Sequence, residues 1–209
     1  MTINETDDVA ALYEGVKRIL DRQDGQGRKV GDCKYGVYLF YDYDGEPIYV
    51  GQTTERLRTR IRRHLTNQRT DAVAMRVLDP FEVAEIEMWP FWELGDDAAE
   101  TLNRAEFTVY EQAIRDSAFD IILNEKEVRE TDRINLPPSI REFILPVSER
   151  VAREHPDIRL ARRARTIADL ARIISERQVR IGIRRTLWAQ AQRLEQLARR
   201  RLEALDGTE

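Results

Sequence analysis

The sequence predicts an α+β protein, and three observations carry that reading. Two strand-like runs, YGVYLFY and IYVG, flank an Asp44-Gly45 turn signal. A third alternating run lies at Phe81 to Trp89, with Ala84, Ile86 and Met88 on one side. The remainder carries apolar residues at helical spacing and ends in an arginine-rich segment.

The first helix spans Thr6 to Leu20, where Val9, Leu12, Tyr13, Val16, Ile19 and Leu20 share a face. QDGQGRKVGDCK then reads as a linker, so residues 1–30 form an N-terminal helix and its connection. A two-residue turn at Asp44-Gly45 would set Phe40 opposite Tyr49 and Tyr38 opposite Gly51. Tyr38 and Tyr49 then lie on one sheet face as diagonal neighbours, whereas a one-residue slip would part them. Tyrosines are also simply good strand formers.

A helix follows, capped by Thr53 or Thr54, with Glu55 in its first turn. Leu57, Ile61 and Leu65 make its packing stripe, and Arg60 and His64, four apart, line up beside it. A permanently charged fork and an imidazole suit a phosphate. With Arg56, Arg58, Arg62 and Arg63 around them, they equally suit a solvated basic face. Ala72 to Leu78 reads as a short helix, and Pro90 as the end of the third strand.

The helix from Asp96-Asp97 to about Arg115 holds two candidate metal ligands. Measured from Leu102, Val109 and Ala113 lie within about 20°, Glu106 at about 40° and Glu111 at about 180°. Glu106 therefore faces the sheet, where a carboxylate is costly unless paired or bound to a metal. Glu111 is the alternative. Ser139 to Leu145, between prolines, reads as a short capped helix. Two longer helices follow, about Asp157 to Glu176 and Thr186 to Leu205, the second with Leu187, Ala191, Leu194, Ala198, Leu202 and Leu205 as its stripe.

The chain has 209 residues, 42% hydrophobic and 34% charged, which implies a modest core under a heavily solvated surface. Cys33 is the single cysteine, so no internal disulfide forms. No apolar run reaches membrane-spanning length, and MTINETDDVA lacks the features of a signal peptide. The chain reads as cytoplasmic, with no membrane partner.

Net charge is −4, but residues 150–203 hold 15 Arg, no Lys and 6 acidic residues, giving +9. The remainder holds 19 basic and 32 acidic residues, giving −13. The basic end suits a polyanion, with Arg162, Arg163, Arg165, Arg184 and Arg185 on phosphates. It equally suits a helical hairpin packed on the acidic remainder, or a dimer contact.

Taken in this order, residues 35 to 124 resemble the GIY-YIG endonuclease superfamily. Gly-Val-Tyr supplies Tyr38, Tyr-Val-Gly supplies Tyr49, and the helical pair is Arg60 and His64. Glu106 matches the metal-binding glutamate and Asn124 the late asparagine. The resemblance implies a small three-stranded antiparallel sheet flanked by helices, a nuclease domain over residues 31–130, and an Arg-rich helical appendage over 137–209. It implies an endonuclease that hydrolyses phosphodiester bonds in double-stranded DNA with Mg²⁺ or Mn²⁺ on Glu106. Tyr38 is then the proton acceptor, Arg60 stabilises the phosphate, and Tyr49 and His64 hold the scissile group. The compact chain favours a restriction-type enzyme, a homodimer if it cuts both strands of a palindrome. A repair or mobile-element nuclease and a non-catalytic nucleic-acid-binding protein are the alternatives.

Overall fold

A computed structural model describes residues 5–66, 78–124 and 128–207. The helix read from Ala72 lies outside them, apart from Leu78. The elements run α1 (Glu5–Leu20), β1 (Tyr35–Tyr41), β2 (Pro47–Thr53), α2 (Leu57–Leu65), β3 (Glu85–Phe91), α3 (Ala98–Asp116), β4 (Ile140–Phe143), α4 (Val147–Glu154), α5 (Pro156–Glu176) and α6 (Ile181–Asp206). Among the described residues no helix is long and apolar enough to cross a membrane.

The sheet is antiparallel with order β2-β1-β3-β4, so it has four strands rather than three. The extra strand is the segment that reads as a helix from Ser139. Seven residues between Pro138 and Pro146 are too few for a self-supporting helix, and β3 offers an open edge to pair with. Arg141 bonds Glu85 of β3 at 2.8 Å, and the Ser139 hydroxyl, instead of capping a helix, donates to Glu87 at 2.6 Å. β3 also runs past Pro90 to Phe91. Pro90 is tolerated because β4 pairs only with Glu85 to Met88, which leaves the proline on an open stretch of edge.

Each sheet face buries its own core. Tyr38, Phe40, Tyr49, Ile86 and Met88 pack with Leu12 and Val16 of α1 and with Leu57, Ile61 and Leu65 of α2. Val37, Leu39, Tyr41, Val50 and Trp89 pack with Leu102, Ala105, Val109 and Ala113 of α3. The helix before the sheet and the helix after the hairpin thus cover one side, and α3 covers the other.

The hairpin reaches its register by a different route from a two-residue turn. Asp42 N–H bonds Glu46 O at 3.0 Å, and Gly45 sits at φ 73°, so the loop is three residues, Tyr43-Asp44-Gly45. Tyr41 consequently opposes Pro47, one residue out of step. An irregularity between Phe40 and Tyr41 absorbs the extra residue, and beyond it Phe40 opposes Tyr49 and Tyr38 opposes Gly51. The two shifts cancel, and the tyrosines return to one face.

Helices α5 and α6 form an antiparallel hairpin held to the domain by ions more than by a leucine seam. On α6 the buried side chains are Ile183, Thr186, Ala189, Gln190, Arg193 and Leu197, while Ala191, Ala198, Leu202 and Leu205 face solvent. The buried face is turned from the apolar stripe because Arg193 must reach Pro47 O, at 3.0 Å, and Glu46. From α5, Arg159 bonds Asp44 at 2.7 Å, Arg163 bonds Asp42 at 2.8 Å, and Arg162 bonds Glu82 at 2.8 Å. Arg153 of α4 holds Asp8 of α1. Burial raises the Asp42 carboxyl and lowers the Arg193 guanidinium, the usual cost of taking ions from water.

Candidate active site

The hairpin and α2 bring four of the sequence-derived residues together. Tyr38 and Tyr49 stack with ring centroids 6.5 Å apart, and the His64 ring stands 5.8 Å from Tyr38 and 5.0 Å from Tyr49. The Tyr38 hydroxyl meets His64 Nε2 at 2.8 Å. Arg60, one turn before His64, hydrogen-bonds Tyr38. Gly51 is required here by close approach: a Cβ on it would stand 2.3 Å from the Tyr38 hydroxyl.

The electrostatics of this group are unusual for a buried cluster. Tyr38 and His64 are 0% and 1% exposed. Burial first, and then Arg60 and Arg63, push His64 down to about 3, so it is neutral at physiological pH. The imidazole tautomer sets which of the Tyr38 hydroxyl and His64 Nε2 donates, and Nδ1 is buried without a hydrogen-bond partner. Burial disfavours the charge on Arg60, but the Tyr38 and Tyr49 oxygens outweigh it and hold the guanidinium above its ordinary value. Arg60 is the most exposed of the four. Its Nε is unpaired, and among the described residues no carboxylate lies within ion-pair distance of it. Among the described residues the site is a cation in contact with neutral acceptors, and the carboxylate that acts on Arg60, Glu55, does so from beyond ion-pair distance.

Glu106 lies across the sheet from the tyrosines. Gly51 touches Tyr38, while its neighbour Gln52 points to the other face and donates to Glu106 Oε2 at 3.0 Å and to Asn103 Oδ1 at 2.7 Å. The two groups therefore flank the Thr53 end of β2, the outer strand, instead of sharing one surface. Glu111 is held by Arg133 in a two-pronged ion pair, which keeps its carboxyl below the usual range.

Asn124 is used structurally. Its Oδ1 accepts from Val50 N–H at 3.1 Å and its Nδ2 donates to Val50 O at 2.8 Å, so it pairs with the open edge of β2 as a strand would. Leu123 N–H adds a bond to Ile48 O at 2.9 Å. At the C-terminal end, Arg162 and Arg163 are occupied by Glu82 and Asp42, so the phosphate reading of these two gives way to a packing role. Arg165, Arg184 and Arg185 are exposed. Sequence reasoning missed Gln52 and Asn103. The strand parity that places Gln52 opposite Gly51's face, and the i, i+3 spacing of Asn103 and Glu106, were the signals that could have found them.

Comparison with protein families decides what this cluster belongs to. Residues 34–102 match the family model described as the GIY-YIG catalytic domain. This is a GIY-YIG domain. The match begins one residue before β1 and takes in Tyr38, Tyr49, Arg60 and His64. It stops at Leu102, before Glu106 and Asn124. Comparison with curated proteins and with solved structures gives no significant match. The match to the GIY-YIG catalytic domain supports a nuclease.

Proposed function

We propose that this chain is a DNA endonuclease that hydrolyses phosphodiester bonds with Mg²⁺ or Mn²⁺, and that it is of restriction type. The observation that carries the reading is Arg60. It is a half-buried cation with no carboxylate within ion-pair distance among the described residues, hydrogen-bonded to Tyr38 beside the buried His64. A phosphate completes that arrangement electrostatically.

The reaction places water in line with the leaving oxygen at phosphorus. As the water oxygen bonds to phosphorus, its proton passes to the Tyr38 oxygen while the Tyr38 proton moves to His64 Nε2. This relay spares Tyr38 a free phenolate, whose ordinary value is near pH 10. It works only with a neutral imidazole, which the burial of His64 secures. The incoming phosphate offsets the repulsion that Arg60 exerts on imidazolium. Arg60 takes the charge that builds on the phosphoryl oxygens, and Tyr49 packs against the His64 ring and fixes its plane. The P–O ester bond then breaks, and the leaving alkoxide takes a proton from solvent.

Among the described residues no three His, Cys, Asp or Glu side chains form a ready metal centre. The fit is of the sparse kind, with one half-buried carboxylate, Glu106, beside the Asn103 oxygen. Glu106 and Asn103 would hold a divalent ion there, which would supply charge neutralisation to the reaction. Exposed Arg165, Arg184 and Arg185, with Arg177 and Arg180 in the α5–α6 turn, provide the phosphate contacts of the appendage.

Plasmid incubated with the chain and Mg²⁺, with and without EDTA, tests the proposal. Discrete fragments with Mg²⁺ alone, lost in Glu106→Gln while DNA binding persists, are expected. Intact plasmid under all ionic conditions favours a DNA-binding protein on a nuclease fold.

A further inference from the structure

Gln52 makes one amide group serve two oxygens. Its Nε2 donates to Asn103 Oδ1 at 2.7 Å and to Glu106 Oε2 at 3.0 Å. Asn103 and Glu106 lie three apart on α3, so their side chains leave the helix on the same side. Gln52 approaches from β2. Two hard oxygen acceptors therefore converge on one point, and a weakly positive donor fills it.

That is the arrangement a small cation needs, with the cation replaced by an N–H₂ group. A glutamine amide carries a nitrogen and an oxygen of nearly equal size, exchanged by a half-turn of its last torsion. With nitrogen inward the group neutralises Asn103 and Glu106. With oxygen inward it adds a third oxygen to theirs. Gln52 is half-buried and Asn103 exposed, so the point is open to ions from solvent.

We propose that Gln52 and Asn103 complete an oxygen ligand set with Glu106 for a divalent cation, the Gln52 amide holding the place until the ion enters. The inference rests on the reading of Glu106 as the metal carboxylate and adds two neutral ligands to it. One carboxylate and two amide oxygens leave coordination positions of Mg²⁺ or Mn²⁺ for water and a substrate phosphate, which such ions favour. The position also suits the reaction. Gly51 and Gln52 are consecutive, so the Tyr38 hydroxyl beside Gly51 and an ion on Gln52 stand on opposite faces of the same end of β2.

Mn²⁺ binding to the full-length chain without DNA, read from the electron paramagnetic resonance of unbound Mn²⁺, tests the proposal. The wild-type chain takes up one ion, and Glu106→Gln abolishes uptake. Gln52→Leu and Asn103→Leu each weaken it about tenfold, the scale on which metal-site neighbours act. Gln52→Glu tightens it by adding a carboxylate, and this arm decides the matter if the leucine variants fail to fold. No uptake by wild type at millimolar Mn²⁺, wild-type affinity in both leucine variants, or no gain in Gln52→Glu overturns the three-ligand set. Unchanged binding in Glu106→Gln overturns instead the assignment of the ion to that carboxylate.

Discussion

Two of the buried polar clusters among the described residues are built around arginine and differ in what answers its charge. Where α5 and α6 meet the β1–β2 loop, Arg159, Arg163 and Arg193 face Asp42, Asp44, Glu46 and Glu82. Beneath β1 and β2, Arg60 faces Tyr38 and Tyr49, beside a neutral His64. The first cluster answers each cation with carboxylates, so nothing is left for a ligand to do. Among the described residues, the second leaves a cation in contact with neutral groups and with Glu55 beyond ion-pair distance, at a cost that an incoming anion would relieve. An arginine is informative about function through the charge it lacks as a partner. Its position in a basic run says little.

The largest effect should come from breaking the ion cluster. Arg163→Met takes from the buried Asp42 its nearest cation, leaving it only the more distant Arg159 and Arg193, and should cost about 3 kcal/mol of stability, measured by urea unfolding. The exposed Arg184→Met should move stability by less than about 0.5 kcal/mol. Equal losses in the two variants would erase the distinction between paired and exposed arginines.

Next in size is Arg60→Ala. With one phosphate-stabilising donor gone, cleavage should slow by about 10²–10³-fold, measured in single turnover, while DNA affinity changes little. A variant that loses affinity and keeps its rate would make Arg60 a binding residue.

A smaller effect follows from the neutral state of His64. Its folded value is about 3 against an ordinary 6.5. Between those values the unfolded chain binds a proton that the folded chain refuses, so this group's contribution is full above about pH 6.5 and falls as pH drops towards 3. From pH 7 to 5 that loss is about 2 kcal/mol, at about 1.4 kcal/mol per pH unit below 6.5. His64→Gln, which hydrogen-bonds without titrating there, should lose about that much less stability than wild type over the same interval. Parallel losses would show that His64 is already protonated in the fold.

Smallest is the basic turn. Replacing Arg177, Arg180 and Arg184 by Ala should lower the slope of log K against log salt by about 0.9 for each duplex phosphate contact removed. An unchanged slope would confine DNA binding to the catalytic domain.

The sequence made some of this legible and hid the rest for identifiable reasons. Short-range order was readable: Arg60 and His64 share a helix, and their spacing alone aligns them. Tyr38 and Tyr49 share a face as strand parity requires, yet the loop between them has three residues and a compensating irregularity, so a correct register came from an incorrect turn. Ile140 to Phe143 form a strand because β3 needs an edge partner, which no local pattern reveals. The α6 stripe was misplaced because Arg193, which lies off that apolar stripe, is among the most deeply buried side chains. Asn124 and Glu106 could be aligned by order, but their partners, Val50 and Gln52, belong to a strand more than fifty residues away. Local periodicity reports neighbours along the chain, and long-range ion pairing overrides it.

The central claim is that the cluster of Tyr38, Tyr49, Arg60 and His64 cleaves phosphodiesters through the Tyr38 hydroxyl. Single-turnover cleavage of a plasmid by Tyr38→Phe in Mg²⁺, with DNA binding and unfolding measured on the same preparation, tests it most directly. The account predicts a folded variant that binds DNA as wild type does and leaves the plasmid intact. Cleavage at the wild-type rate would contradict it.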